Sequence, residues 1–105
     1  MLSPAPEALS SDRSSGVPVT YCYRITATSE ISVLARVLEP FVIRDAVPLR
    51  VHSELIEGGE PVQEIEIDVV GLEDRMAQHL SIRIEQFPSV LTVSMHRHTS
   101  VAAAA

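Results

Sequence analysis

The spacing of apolar residues switches repeatedly along this chain, between every second residue and every third or fourth. Every odd position from 17 to 25 is apolar, and residues 49–55 and 65–69 alternate in much the same way. Such alternation is typical of strands that bury one face. The last two stretches flank Gly58 and Gly59, which tolerate the positive φ of a tight turn, so we predict that they form a hairpin.

Two other stretches have helical spacing. In about residues 30–44 the apolar stripe comprises Leu34, Val37, Leu38 and Phe41. Thr28 and Ser29 precede this stripe and offer hydroxyls that cap a helix N-terminus. Pro40 lies inside the stretch, but the stripe continues past it, so we predict a helix here. A second helix is predicted between Gly71 and Pro88, with an apolar stripe of Leu72, Met76, Leu80, Ile84 and Phe87.

A last alternation across residues 90–95 completes the order β-α-β-β-α-β. Two right-handed β-α-β crossovers interleave in that order. We therefore predict an α+β, ferredoxin-like sandwich: an antiparallel four-stranded sheet of order 4-1-3-2, with both helices on one face. The strand at residues 49–56 then forms one edge of the sheet, and its unpaired backbone groups favour pairing with another chain. We expect a homodimer formed through this sheet edge.

The chain length of 105 residues allows one domain with a modest core. Residues 1–16 are rich in Pro, Ala and Ser and are expected to form a flexible arm. Residues 99–105 end in alanines and are expected to form a flexible tail. The folded domain is predicted to span residues 17–98.

Composition excludes several classes of function. The net charge is -6 and the arginines are scattered, so we expect no binding to nucleic acid. The chain lacks lysine, which excludes Schiff-base chemistry. No apolar run reaches the roughly 18 residues of a membrane span, and the N-terminus does not resemble a secretory signal, so we expect a cytoplasmic protein with no membrane partner.

Catalysis requires a nucleophile, a base and a group that orients the base. The predicted layout contains no such set, so we predict no catalytic residues, no cofactor and no enzyme activity. His96 and His98 lie two residues apart on the last strand, but His52 falls on the opposite edge and no acid stands beside the pair. Chance surface histidines are the simpler interpretation, and we predict no metal site.

The loop before the first helix is a better candidate for ligand binding. Helix N-termini present unpaired N–H groups that suit a carboxylate, and residues 29–33 supply them here. Simple capping by Thr28 or Ser29 accounts for the same residues equally well.

Several stretches resemble the ACT domain family. They are Tyr23-Arg24-Ile25-Thr26-Ala27, Val33-Leu34-Ala35-Arg36-Val37-Leu38-Glu39-Pro40-Phe41, Val47-Pro48-Leu49-Arg50-Val51-His52-Ser53-Glu54, Gly71-Leu72, Arg83-Ile84-Glu85-Gln86 and Val90-Leu91-Thr92-Val93. Among ACT proteins, so short a chain is similar to the small regulatory subunit of acetolactate synthase. The resemblance implies a regulator that senses a small amino acid at a dimer interface and acts on a catalytic subunit of amino-acid biosynthesis.

In that family the ligand lies against the first loop of one protomer and the second-strand region of the other. The resemblance therefore implies a ligand site made of Ser29, Glu30, Ile31, Ser32 and Val33, with Val47, Pro48 and Leu49 from the neighbour. This chain has Ile31-Ser32 where the family usually has Pro-Gly in the loop, and Asp45 where it usually has glycine after the first helix. Two interpretations stay open: an amino-acid sensor, or an interaction module of the same fold that binds no small ligand.

Overall fold

The computed structural model describes residues 19–99 of the chain. The predicted arm, residues 1–16, and residues 100–105 of the predicted tail lie outside the described residues. The elements are β1 (Val19–Thr28), α1 (Ser32–Ile43), β2 (Pro48–Ile56), β3 (Val62–Val70), α2 (Asp74–Glu85) and β4 (Val90–Thr99). The predicted order β-α-β-β-α-β is confirmed.

The four strands form one antiparallel sheet of order β2-β3-β1-β4, which confirms the predicted order 4-1-3-2. In its centre, Tyr23 pairs with Ile67 of β3 on one side and with Met95 of β4 on the other. Odd-numbered residues from 21 to 27 in β1 and from 63 to 69 in β3 face the helices and are buried, whereas their even-numbered neighbours form the other face of the sheet. The predicted alternation therefore separates the two faces correctly.

The core lies between this sheet and the two helices. The Tyr23 ring meets Phe41 of α1 edge to face, with 5.1 Å between ring centroids. Its hydroxyl donates a hydrogen bond of 2.8 Å to the backbone oxygen of Ala77 in α2. One central side chain thus contacts both helices. The buried apolar residues are Tyr21, Tyr23, Ile25, Ala27, Val33, Val37, Phe41, Ile65, Ile67, Val69, Ala77, Leu80, Ile84 and Val90.

The start of α1 differs from the prediction. Its N-cap is Ile31, and no described side chain caps it by a hydrogen bond, so capping by Thr28 or Ser29 is wrong. The reason is that Thr28 still belongs to β1, where it pairs with Val62. Pro40 does lie inside the helix, with its side chain buried.

Two irregularities determine which apolar residues reach the surface. The pairing of β1 with β4 shifts register after Thr26, so that Val90 is buried while Leu91, next to it, is exposed. A second shift between Pro48 and Arg50 leaves Leu49 exposed at the start of β2. Past Pro48, every residue of β2 is exposed, including Val51, although its partner Ile67 is fully buried. The helices therefore leave this edge strand uncovered.

Candidate functional site

The loop between β1 and α1 is held by a single side chain from β3. Gln63 is 9% exposed, and its Nε2 donates hydrogen bonds to the backbone oxygens of Thr28, at 2.9 Å, and Glu30, at 2.7 Å. The Glu30 oxygen also accepts the amide of Val33 at 3.2 Å. Because both hydrogens of one amide group are used on this loop, the backbone that leads into α1 has a defined position.

Glu30 places a negative charge at the N-terminal end of α1. Its Oε1 accepts a hydrogen bond of 3.2 Å from the Ser89 hydroxyl, and the Ser89 backbone oxygen accepts the amide of Thr28 at 2.9 Å. A carboxylate is favourable at a helix N-terminus. The same charge would repel the carboxylate of a ligand, so it weakens carboxylate binding at this end of α1.

Two clefts meet at Ser29, at the end of the sheet where β1 finishes. The first has a volume of about 500 Å³ and is lined by Ser29, Leu55, Glu57, Gly58, Gly59 and Pro61. The second, of about 320 Å³, is lined by Thr28, Ser29, Glu30, Glu60, Pro61, Val62 and Leu91. Thr28 Oγ1 is buried in the wall of the second cleft and has no hydrogen-bond partner among the described residues. These clefts combine carboxylates with apolar surface and the side chain of Ser29.

The remaining predicted loop residues take different positions. Ile31 is 96% exposed, whereas the side chain of Val33 is buried in the core. Ser32 is exposed and borders a shallow depression along α1 with Arg36. Val33 therefore cannot contact a ligand through its side chain, and its amide already donates to the Glu30 backbone oxygen.

The second half of the predicted site lies at the opposite end of α1 from Ser29. Val47, Pro48 and Leu49 follow α1, whose 12 residues span about 18 Å, and Val47 is 78% exposed. One chain thus does not bring Leu49 and Ser29 together. An antiparallel partner strand on β2 would reverse this arrangement, because the start of one strand then lies beside the end of the other.

The open face of the sheet carries a ladder of charges. Glu66 accepts hydrogen bonds from Arg24 at 2.8 Å and from Arg50 at 2.9 Å, and Asp68 accepts one from Arg50 at 3.1 Å. The bonds from Arg50 and then Arg24 lower the pKa of Glu66. Cys22 pairs with Asp68 across the strands, and its pKa is raised to about 11, first by burial and then by Asp68. The described residues contain no group of three or more His, Cys, Asp or Glu placed to hold a metal ion.

Sequence reasoning missed Gln63 and the part of the first cleft formed by the hairpin. A signal for Gln63 exists, since it is the one polar residue at an inward position in a strand that continues with Ile65, Ile67 and Val69. A polar group at such a position needs hydrogen-bond partners. The partners are the backbone oxygens of Thr28 and Glu30, which lie 35 and 33 positions away in the sequence, so only the folded structure identifies them.

The comparisons with known proteins place the fold. No family model and no curated protein matches the sequence. The ACT domain of GTP pyrophosphokinase from Chlorobium tepidum superposes with a TM-score of 0.61 at 9% identity, over 75% of this chain and 99% of that one. The C-terminal domain of MgtC from Mycobacterium tuberculosis also gives 0.61, at 15% identity, over 79% and 89% of the two chains. Homoserine dehydrogenase from Thiobacillus denitrificans gives 0.59 at 19% identity, over 79% of this chain and 17% of that one.

This chain has an ACT-like fold. At these identities the likeness concerns the fold and carries no ligand or partner over to this chain. No helix within residues 19–99 is long and apolar enough to cross a membrane.

Proposed function

We propose that this chain is a non-catalytic regulatory domain that senses a small amino acid at the interface of a homodimer and regulates an enzyme of amino-acid biosynthesis. The ACT-like fold supports the regulatory class. The observation that carries the proposal is that the exposed residues Val47 and Leu49 and the first cleft lie at opposite ends of β2. Antiparallel pairing of β2 with a second copy would bring Val47 and Leu49 of that copy toward Ser29 and the first cleft.

The chemistry of the clefts suits a small zwitterion with an apolar side chain. Glu57 and Glu60 can accept the hydrogens of an ammonium group. The first turn of α1 offers backbone N–H groups to a carboxylate. Leu55 and Pro61 provide apolar surface on one side, and the exposed Leu49 of the second copy would add to it. A small apolar amino acid meets all three requirements.

A panel of amino acids, read by melting temperature, tests this proposal. A ligand at 100 times its Kd adds about 2.7 kcal/mol to the free energy of unfolding, which raises the melting temperature of a domain of this size by roughly 10 to 20 °C. We expect such a shift for a small apolar amino acid and a larger one for Glu30→Gln, which removes the repelling charge. Glu39→Gln is the matched control, since Glu39 is exposed further along α1.

The second candidate is an interaction module of the same fold without a small ligand. Several exposed apolar side chains around the two clefts favour it, since Leu55 is 52% exposed, Leu91 is 55% exposed and Ile31 in the adjacent loop is 96% exposed, and a larger exposed apolar patch marks a surface that another protein covers. The same panel is applied to the parent chain and to the variants Glu30→Gln and Ser32→Gly. If no amino acid at millimolar concentration shifts the melting temperature of any of the three, the amino-acid sensor hypothesis is wrong and the interaction module replaces it.

A further inference from the structure

We infer that two copies of this chain pair antiparallel through β2 in one register, with His52 on the two-fold axis and Arg50 opposite Glu54 of the second copy. This inference rests on the homodimer of the proposed function and needs no ligand. It specifies which residues of β2 face each other, and it explains why this edge pairs with a second copy of the same chain.

The sequence of β2 is self-complementary about His52. In an antiparallel pair related by a two-fold axis, residues equally distant from the centre face each other. With His52 at the centre, Arg50 of each copy faces Glu54 of the other, and the opposite charges meet twice. Cross-strand pairs of opposite charge stabilise a sheet, whereas like charges directly opposite destabilise it.

Neighbouring registers lose this match. Side chains that face each other across two strands lie on the same side of the sheet. If the two-fold axis passed between two residues of β2, a residue on the helix side of one copy would face a residue on the open side of the other. The axis must therefore pass through a residue. A centre at Arg50 or at Glu54 sets two like charges opposite each other. A centre at Val51 or Ser53 leaves Arg50 and Glu54 without each other. Only the register centred on His52 pairs both charges.

Both charged groups are free to make this contact. The Arg50 side chain is 53% exposed, and it uses Nε on Asp68 and Nη2 on Glu66, so further N–H donors remain. The Glu54 side chain is 61% exposed, and His52 is 3.6 Å from its Oε1. A carboxylate with two oxygens can accept a guanidinium hydrogen in addition to this contact.

The exposed apolar residues of β2 follow the same symmetry. Val47 lies just before the strand and Leu49 at its beginning, 78% and 64% exposed, and Leu55 and Ile56 lie at its end, 52% and 37% exposed. With His52 on the axis, Leu49 faces Leu55 of the second copy and Pro48 faces Ile56, while Val47 comes close to the end of the partner strand, so apolar surface at both ends of β2 is covered.

The other edge of the sheet offers no such match. Within β4 the charged side chain is Arg97, accompanied by His96 and His98, and the strand contains no acid. Arg97 is already paired with Asp74 of α2, and two copies that paired through β4 would have no carboxylate in either strand to face the arginine of the other. Charge complementarity therefore selects β2 for the second copy.

The decisive experiment uses two oppositely altered chains. Arg50→Glu alone places two glutamates opposite each other, and Glu54→Arg alone places two arginines opposite each other. We expect each variant to dimerise at least about tenfold more weakly than the parent in sedimentation equilibrium at low salt. In an equimolar mixture both facing pairs become opposite again, so heterodimers should form, which native mass spectrometry can identify.

Matched controls separate the register from general charge effects. Arg75→Glu and Glu85→Arg make the same exchanges at exposed positions of α2, and neither should change dimerisation. If the Arg50→Glu chain does not fold, a single cysteine answers the question: in a Cys22→Ser background, His52→Cys should crosslink with a short bifunctional thiol reagent. Ile56→Cys should not, since its two copies would be about 27 Å apart.

The outcomes distinguish this inference from the function on which it rests. A parent that dimerises while the mixture forms no heterodimers, or while Ile56→Cys crosslinks and His52→Cys does not, overturns the register and leaves the homodimer in place. A parent that is monomeric at every concentration overturns both. Recovery of dimers in the mixture alone, with the α2 controls unaffected, is the result that this register requires.

Discussion

The hydroxyl of Tyr21 donates a hydrogen bond to Oδ1 of Asp74, 53 positions further along the chain. The same carboxylate oxygen accepts a hydrogen bond of 3.1 Å from Nε of Arg97. Asp74 thus joins β1, the first turn of α2 and β4 at one end of the sheet. This junction lies at the end opposite the clefts, so it can be altered without disturbing them.

Tyr21→Phe tests the contribution of this junction to stability. The bond has a charged acceptor, but the Asp74 side chain is 64% exposed, so water offsets part of it. We expect the free energy of unfolding to fall by about 1 kcal/mol, measured by urea denaturation. In an Asp74→Ala background the same substitution should cost little, and an undiminished cost there would show that the bond does not contribute.

The order of elements and the strand order could be predicted because each rests on a repeating local signal. Tyr21, Tyr23 and Ile25 occupy successive odd positions of β1 and are all buried, so several residues of one strand indicate the same inward face. The hairpin at Gly58 and Gly59 fixes which strands are neighbours. Given these two facts, the handedness of the crossovers leaves one sheet order.

Single exceptions to the repeat could not be predicted. Leu91 follows the buried Val90 and has the same apolar character, yet the register shift beside Thr26 turns it outward. In the candidate site the loop residues were placed by family resemblance, but Gln63, which holds the loop, was not. Its bonds to Thr28 and Glu30 join positions far apart in sequence, and no local pattern encodes them.

Gln63→Glu tests whether this side chain holds the ligand loop. The substitution replaces the amide donors with a carboxylate that faces two backbone oxygens in a buried position. We expect a loss of about 2 kcal/mol in the free energy of unfolding, together with faster hydrogen exchange at the Val33 amide. Gln78→Glu makes the same chemical change at an exposed position of α2 and should leave both quantities nearly unchanged.

Asp45 adopts a positive φ of 59° after the end of α1, in the left-handed region where glycine is favoured. Asp tolerates this region better than most residues, whereas a β-branched side chain does not. Asp45→Val should therefore lower the free energy of unfolding by roughly 1 to 2 kcal/mol, and Asp45→Gly should leave it equal or slightly higher. Thermal denaturation of the two variants checks the order, and a Val variant as stable as the Gly variant would contradict it.

Stability should also depend on alkaline pH. Burial raises the pKa of Tyr23 well above its ordinary value, and the pKa of Cys22 rises from 9.0 to about 11. The unfolded chain then releases these protons at lower pH than the folded chain, so above about pH 9 it binds fewer protons and the free energy of unfolding falls as pH rises. The contribution is fully present below pH 9. Tyr23→Phe should flatten the decline above about pH 10, where the unfolded tyrosine ionises.

Cys22 should react slowly in the folded protein. Raising its pKa from 9.0 to about 11 reduces the thiolate fraction at pH 8 by about a hundredfold. The higher basicity of that thiolate returns roughly a factor of ten in nucleophilicity, so the net decrease from ionisation is about tenfold. After burial, the nearby negative Asp68 carboxylate contributes to the raised pKa, so Asp68→Asn should speed the reaction with a disulfide reagent. Full denaturation in urea gives the unprotected rate, and a folded chain that reacts as fast as this reference would contradict the environment described for the thiol.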